Sequence, residues 1–100
     1  MSYKTVHAQS IQDPQAFWGE EAKHIHWEKP FDAVLDYSKP PFAHWFKGGL
    51  TNLCYNAVDR HLAERGDQIA LVAVSTETDI EKAYTFKDLH AEVNRMAAIL

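Results

Sequence analysis

The sequence has few of the features that mark secreted, membrane-spanning and nucleic-acid-binding proteins. Its single cysteine excludes an internal disulfide and is typical of a reducing compartment. It contains no apolar run near the roughly 20 residues that span a bilayer, no apolar signal-peptide core, and no arginine before Arg60. The net charge of −4 offers no basic surface to nucleic acid or to an anionic membrane. We therefore expect a soluble, cytoplasmic protein with neither nucleic acid nor membrane as a partner.

The chain does have enough apolar residues to fold, and its first helix has a clear start. Hydrophobic residues make up 46% of the 100 residues, which excludes disorder on composition and suits one small domain. Asp13 is a good N-cap, and Pro14 suits the first helical position, where its missing N–H costs nothing. This pattern predicts a helix that runs to about Lys23 or His24.

A second helix is predicted in the middle of the chain, after the Gly-Gly pair at residues 48 and 49. Thr51 or Asn52 can cap it, because a short side-chain oxygen satisfies backbone N–H groups in the first turn. Gly66 is predicted to end it in the left-handed conformation. The apolar face of this helix follows a 3.6-residue period and comprises Cys54, Val58, His61 and Leu62.

The segment from residue 25 to residue 49 lacks a regular hydrophobic period. Prolines interrupt it at positions 30, 40 and 41, and only Phe31 to Leu35 could form a strand or a helical turn. Large aromatic rings are spaced along it, and all three tryptophans of the chain, at positions 18, 27 and 45, lie in the first half. We therefore expect an irregular arm that lies across a larger body.

The last third of the sequence predicts a β-hairpin. Ile69 to Val74 is apolar at every position and rich in β-branched residues, which favours a strand covered on both faces. Ala83 to Phe86 alternates and is expected to pair with it across a Thr76–Lys82 loop.

A final helix is predicted to begin at a capping box, with Thr85 as the cap and Asp88 three residues later. Its apolar face comprises Leu89, Val93, Met96, Ala97 and Leu100. The pattern reaches the last residue without a stop signal, and the two-sided strand has one hairpin partner only. We therefore expect residues 1–100 to be the front of a longer protein whose other parts cover these faces.

Glycine and cysteine suggest two candidate sites, and neither passes a physical test. The Gly48–Gly49 pair could bind phosphate ahead of a helix, but no Walker-type sequence follows, so a simple turn is favoured. Cys54 and His61 could form a nucleophile–base pair. Seven residues along one helix separate such side chains by roughly 10 Å, so a buried small residue is favoured for Cys54.

Charged and imidazole groups suggest three more candidate sites. His24, His26 and Glu20 are too few for a metal site, and a helix-surface pair between Glu20 and His24 is favoured. The Asp59–Arg60–His61 triplet cannot converge on one substrate atom, because consecutive helical residues point about 100° apart. Asp59 and Arg60 are expected to bind neighbouring backbone or charges beyond residue 100. The acidic loop with residues 77, 79 and 81 lacks the glycine and terminal glutamate of a calcium site, so a solvated hairpin tip is favoured. The residues themselves thus predict no catalytic, cofactor-binding or metal-binding residue.

Several blocks in order along nearly the whole chain resemble one enzyme family. They are Phe17-Trp18, the stretch from Trp27 to Leu35, Trp45-Phe46 with the Gly-Gly turn, Asn52, Tyr55-Asn56, the Asp59–His61 triplet, and Tyr84-Thr85-Phe86 with Leu89 and Val93. Together they are similar to the N-terminal region of the AMP-forming short-chain acyl-CoA synthetases, which are adenylate-forming enzymes. TNLCYNAVDRHL, and AVSTET followed by YTF, are more similar to the propionate-activating members than to the acetate-activating ones.

This resemblance implies an α/β fold made of a helix-and-arm extension followed by the first β-hairpin and helix of an AMP-binding domain. Residues 1–65 would be the extension, and residues 67–100 the start of that domain. The family uses ATP, CoA and Mg²⁺ with a short-chain carboxylate, here propionate, and forms the acyl-adenylate before the thioester. Its phosphate loop and substrate residues have no counterpart in residues 1–100, so this part is expected to be inactive alone.

Two alternatives remain open. One is an acetyl- or other short-chain acyl-CoA ligase of the same family. The other is a non-catalytic interaction domain that docks through its aromatic arm. If the chain is instead the front of a propionate-activating acyl-CoA synthetase, its partners would be the short-chain carboxylate and the remainder of the AMP-binding domain. The isolated chain would then leave its three tryptophans poorly covered.

Overall fold

The chain forms five α-helices and six β-strands, grouped in two units that divide between Asn52 and Leu53. The structure, a computed structural model, describes every residue from Met1 to Leu100. The helices are α1 (Tyr3–Gln12), α2 (Pro14–Glu21), α3 (Leu53–Ala57), α4 (Leu62–Arg65) and α5 (Phe86–Ile99). The strands are β1 (Trp27–Lys29), β2 (Ala33–Lys39), β3 (Phe42–Lys47), β4 (Leu50–Thr51), β5 (Ile69–Ser75) and β6 (Ile80–Thr85). Short 3-10 turns occupy Ala22–His24 and Asp59–His61.

The start of α2 is the predicted one. The Asp13 carboxylate accepts a hydrogen bond from the Ala16 amide at 3.1 Å, and Pro14 occupies the first turn. The 3-10 turn carries the helical stretch on to His24, so the predicted end is also confirmed. Helix α1 was not predicted; it begins at Tyr3, and the hydroxyl of the N-cap residue Ser2 accepts from the Thr5 amide.

The expectation of an irregular arm from residue 25 to residue 49 is wrong. Strand β2 pairs antiparallel with β3, and β1 pairs antiparallel with β4. The prolines do not break the strands because they lie where strands end: Pro30 follows β1, and Pro40 and Pro41 form the turn between β2 and β3. The backbone groups of this segment are therefore paired locally.

An ion pair crosses the β2–β3 hairpin. The Lys47 ammonium donates to one Asp36 oxygen at 2.8 Å, and the Ser38 amide donates to the other at 3.0 Å. Hydrogen bonds from Lys47 first, and then from Ser38, hold the pKa of Asp36 well below its usual range. The same contact raises the pKa of Lys47.

The predicted central helix is broken into three short pieces. Helix α3 ends at Ala57, Val58 leaves helical geometry with φ −125° and ψ −64°, and a 3-10 turn leads into α4. The Val58 side chain is one of the few buried groups of the chain, as its position on the predicted apolar face suggested, but the 3.6-residue period did not show the break. Thr51 is not the cap; it lies in β4, and its hydroxyl donates to the His26 carbonyl at 2.6 Å.

Gly66 ends α4, but the predicted left-handed conformation is wrong, since its φ is −53°. Glycine is favoured at this position because neighbouring groups approach its Cα closely. A Cβ at this position would lie 2.6 Å from the Leu62 carbonyl oxygen and 2.8 Å from the Lys87 side chain. The Lys87 amide donates to the Gly66 carbonyl at 3.1 Å, which fixes the start of α5 against the end of α4.

The last third follows the prediction. Strand β5 pairs antiparallel with β6 from Ile69↔Thr85 to Ser75↔Ile80, although the loop is shorter than predicted and begins at residue 76 and ends at 79. Thr85 and Asp88 form the predicted capping box: the Asp88 amide donates to the Thr85 hydroxyl at 3.2 Å, and the Thr85 amide to the Asp88 carboxylate at 2.9 Å.

Neither unit has an extensive core. Ala22, at 5% exposure, and Val58, at 8%, are the only hydrophobic residues that are buried. No helix combines the length and apolarity that a bilayer crossing requires. The mixture of helices and small antiparallel sheets is consistent with the expected fold class of a fragment rich in surfaces that need covering.

Candidate interaction surface

Three aromatic rings form the local core of the first unit. The ring centroids of Trp27, Phe31 and Phe46 lie 5.1 to 5.5 Å from one another, the range of favourable aromatic pairs. The Trp27 indole N–H donates to the Ala22 carbonyl at 3.0 Å, which ties the cluster to the end of the helical stretch. This aromatic cluster (Trp27, Phe31 and Phe46) is a structural element rather than a free docking arm.

The turn beneath the cluster requires glycine for two different reasons. Gly48 has φ +81°, a left-handed conformation that favours glycine. Gly49 lies against the rings: a Cβ there would be 2.8 Å from the Trp27 ring and 3.1 Å from the Phe31 Cβ. The prediction of a simple turn at this pair is confirmed.

The same turn does not fit a phosphate. The Asp32 carboxylate lies so close to Gly48 that an added Cβ would be 2.5 Å from its oxygen, which places negative charge where an anion would have to bind. The Gly49 amide is used in a hydrogen bond to the Phe46 carbonyl at 3.1 Å. The pair therefore offers no site for the phosphates of a nucleotide.

The Asp59–Arg60–His61 triplet points its side chains at different partners, as expected. Asp59 lies 3.9 Å from the His90 imidazole, and Arg60 donates to the Asn56 side chain at 3.1 Å. His61 binds the Asn56 carbonyl through Nε2 at 3.1 Å, and its ring lies 5.5 Å from the Phe86 ring. Within this chain the neighbour of Asp59 is His90 on α5; the expected contact with charges beyond residue 100 stays a prediction. The sequence held no signal for the His90 contact, because the two residues are on separate elements.

Cys54 and the histidines near residue 25 are placed without a reactive arrangement around them. Cys54 is half-buried in α3, and its carbonyl accepts from the Val58 amide. Glu20 accepts from the Lys23 ammonium at 2.7 Å through both oxygens. The predicted pair between Glu20 and His24 stays a prediction. No group of three or more His, Cys, Asp or Glu side chains comes together in an arrangement that could hold a metal ion.

An open groove of about 460 Å³ lies between α1 and α2. Its apolar lining includes Val6, Ala16 and Phe17, and its acidic residues are Asp13, Glu20 and Glu21. Asp13 is engaged as the α2 cap and Glu20 in its ion pair, so these carboxylates do not form a free acid–base pair.

The tip of the β5–β6 hairpin is exposed, with Asp79 in the turn at φ +53°.

The largest feature of the second unit is an aliphatic surface that the chain leaves open. Half or more of each Ile69, Val72 and Val74 side chain is exposed, at 57%, 50% and 66%. We call this the unit-2 apolar surface; its other members are Leu71 and Ile80 of the hairpin and Val93, Met96, Ile99 and Leu100 of the C-terminal segment. Scattered exposed aliphatic residues are ordinary, but this many on one hairpin and one helix indicate faces that a further layer of protein covers.

Comparison with known proteins identifies the family to which these features belong. The family model described as "Acetyl-coenzyme A synthetase N-terminus" matches residues 3–57. The chain is 53% identical over 100 residues to a propionate–CoA ligase of Salmonella typhimurium and 49% identical to that of Escherichia coli, and both matches cover all of this chain. It is 44% identical over 101 residues to an acetyl-coenzyme A synthetase of Beijerinckia indica, with 98% of this chain covered.

The matched relatives are much longer than this chain, which spans 16% of the length of each of these three proteins. The matching residues include the aromatic cluster, the Gly-Gly turn and α3, which are among the blocks that carried the resemblance in the sequence; the Asp59–His61 triplet and the Tyr84–Val93 block lie outside the matched range. The chain belongs to the acetyl-coenzyme A synthetase N-terminus family, the N-terminal region of the acyl-CoA synthetases.

Proposed function

We propose that the chain is the N-terminal part of an AMP-forming short-chain acyl-CoA synthetase that activates propionate. The observation that carries this proposal is the identity over the whole chain: 53% and 49% to two propionate–CoA ligases against 44% to an acetyl-coenzyme A synthetase. The single cysteine and the acidic net charge suit a cytoplasmic enzyme. An acetyl- or other short-chain acyl-CoA ligase is the alternative within the family.

The proposed reaction has two steps. The propionate oxygen attacks the α-phosphate of ATP, which gives propionyl-adenylate and releases pyrophosphate, and Mg²⁺ would accompany the nucleotide. The CoA thiol then attacks the acyl carbon and releases AMP. Because the Gly-Gly turn does not fit a phosphate and no side chains converge on a reactive centre, we assign none of these steps to residues 1–100.

The proposed role of this part is structural. Residues 1–65 form the N-terminal extension, and residues 67–100 form the start of the AMP-binding domain. The unit-2 apolar surface packs on the remainder of that domain, which removes aliphatic area from water and so stabilises both parts. The 100-residue chain is inactive by itself.

The full-length protein tests the function directly. We expect ATP–pyrophosphate exchange that depends on an added carboxylate and that is fastest, by kcat/KM, with propionate when propionate, acetate and butyrate are compared. Faster exchange with acetate would identify acetate as the preferred substrate and would still support an AMP-forming acyl-CoA synthetase. Exchange with none of the three carboxylates would overturn the proposed function.

The chain alone provides a second test. Because its aliphatic surface is open, residues 1–100 should bind a hydrophobic dye and melt over a broad temperature range. A sharp, cooperative melt without dye binding would favour a self-contained interaction domain. Reading the gene beyond codon 100 separates the two hypotheses again: a glycine-rich Ser/Thr phosphate loop supports the ligase.

A further inference from the structure

We draw no further inference here: the strongest candidate, the open groove of about 460 Å³ between α1 and α2 with its apolar and acidic lining, carries nothing, because nothing in the structure shows what covers it.

Discussion

The chain contains two β-hairpins of equal size that meet their surroundings in different ways. Strands β2 and β3 have seven and six residues, as do β5 and β6. The first hairpin belongs to a unit that buries rings against rings at its base. The second presents aliphatic side chains to solvent at Ile69, Leu71, Val72, Val74 and Ile80.

The difference shows what aromatic residues can do in a small unit. Each large ring covers several neighbours, so Trp27, Phe31 and Phe46 enclose one another with little additional chain. Valine and isoleucine side chains are too short to do this and need a facing layer. The first unit is therefore expected to hold its structure locally, whereas the second depends on whatever covers it.

Removal of the Trp27 ring should have the largest effect on this difference between the two units. Trp27→Ala should lower the free energy of opening of the first unit by about 3 kcal/mol, because it deletes the largest of three rings in mutual contact and also the indole hydrogen bond to the Ala22 carbonyl. Native-state hydrogen exchange of the β1–β4 amides in the full-length protein measures it. Trp45→Ala, where the ring is 46% exposed, is the matched control and should cost about 1 kcal/mol. Equal losses would mean that the cluster is not the local core.

Insertion of a Cβ atom next to the aromatic cluster should have the second largest effect. Gly49→Ala should destabilise the first unit by about 2 kcal/mol, since the new Cβ would meet the Trp27 ring at 2.8 Å. Gly19→Ala in α2 is the control: its Cβ would meet a single Val34 methyl at 3.3 Å, and better helix propensity offsets that contact. The same exchange experiment reads both. A neutral Gly49→Ala would show that the rings can move apart freely.

In the second unit, loss of the α5 cap should cost less. Thr85→Ala should lower the stability of α5 by about 1 kcal/mol, and Thr85→Ser should restore it. Hydrogen bonds from the Thr85 amide, and then from its hydroxyl, lower the pKa of Asp88. This contribution is present above the ordinary carboxyl pKa and is lost as the pH falls through the lowered value. Hydrogen exchange of the α5 amides between pH 6 and pH 3 measures this contribution. A helix stability that does not change with pH would contradict the Thr85–Asp88 capping box.

The smallest expected effect is at the exposed hairpin ion pair. Asp36→Asn should remove an acid-dependent contribution to the first unit: the lowered pKa means that it is present above the ordinary carboxyl pKa and lost below it. Because the pKa of Lys47 is raised, the same contact should also weaken as the pH rises through the lysine range. Titration of both groups by NMR checks these directions. An Asp36 carboxyl that titrates in its ordinary range would exclude the pair in solution.

Sequence reasoning predicted the parts of the fold that depend on neighbouring residues. The caps at Asp13 and Thr85 each join residues three apart, and the composition of β5 was enough to identify its strand. The open apolar surface was also predictable, because a strand apolar on both faces needs a covering layer on each side and this chain has few elements to supply them.

Contacts between distant residues were not predictable. The first hairpin was missed because the prolines at positions 30, 40 and 41 suggested irregular backbone, although Leu35 and Tyr37 alternate with Asp36 and Ser38 in β2. The helical period correctly placed Val58 on a buried face, but it gave no sign that the backbone leaves helical geometry at this residue. The approach of Asp59 to His90 depends on how two elements pack and has no local signature.

The position of the indole rings has a spectroscopic consequence. All three tryptophans lie in the first unit and none in the second. Tryptophan fluorescence of this chain therefore reports on the first unit alone, whereas helical circular dichroism also includes α5. Since the two units differ in how they are stabilised, melting curves from the two probes should not coincide, and their separation gives the difference in stability without any substitution.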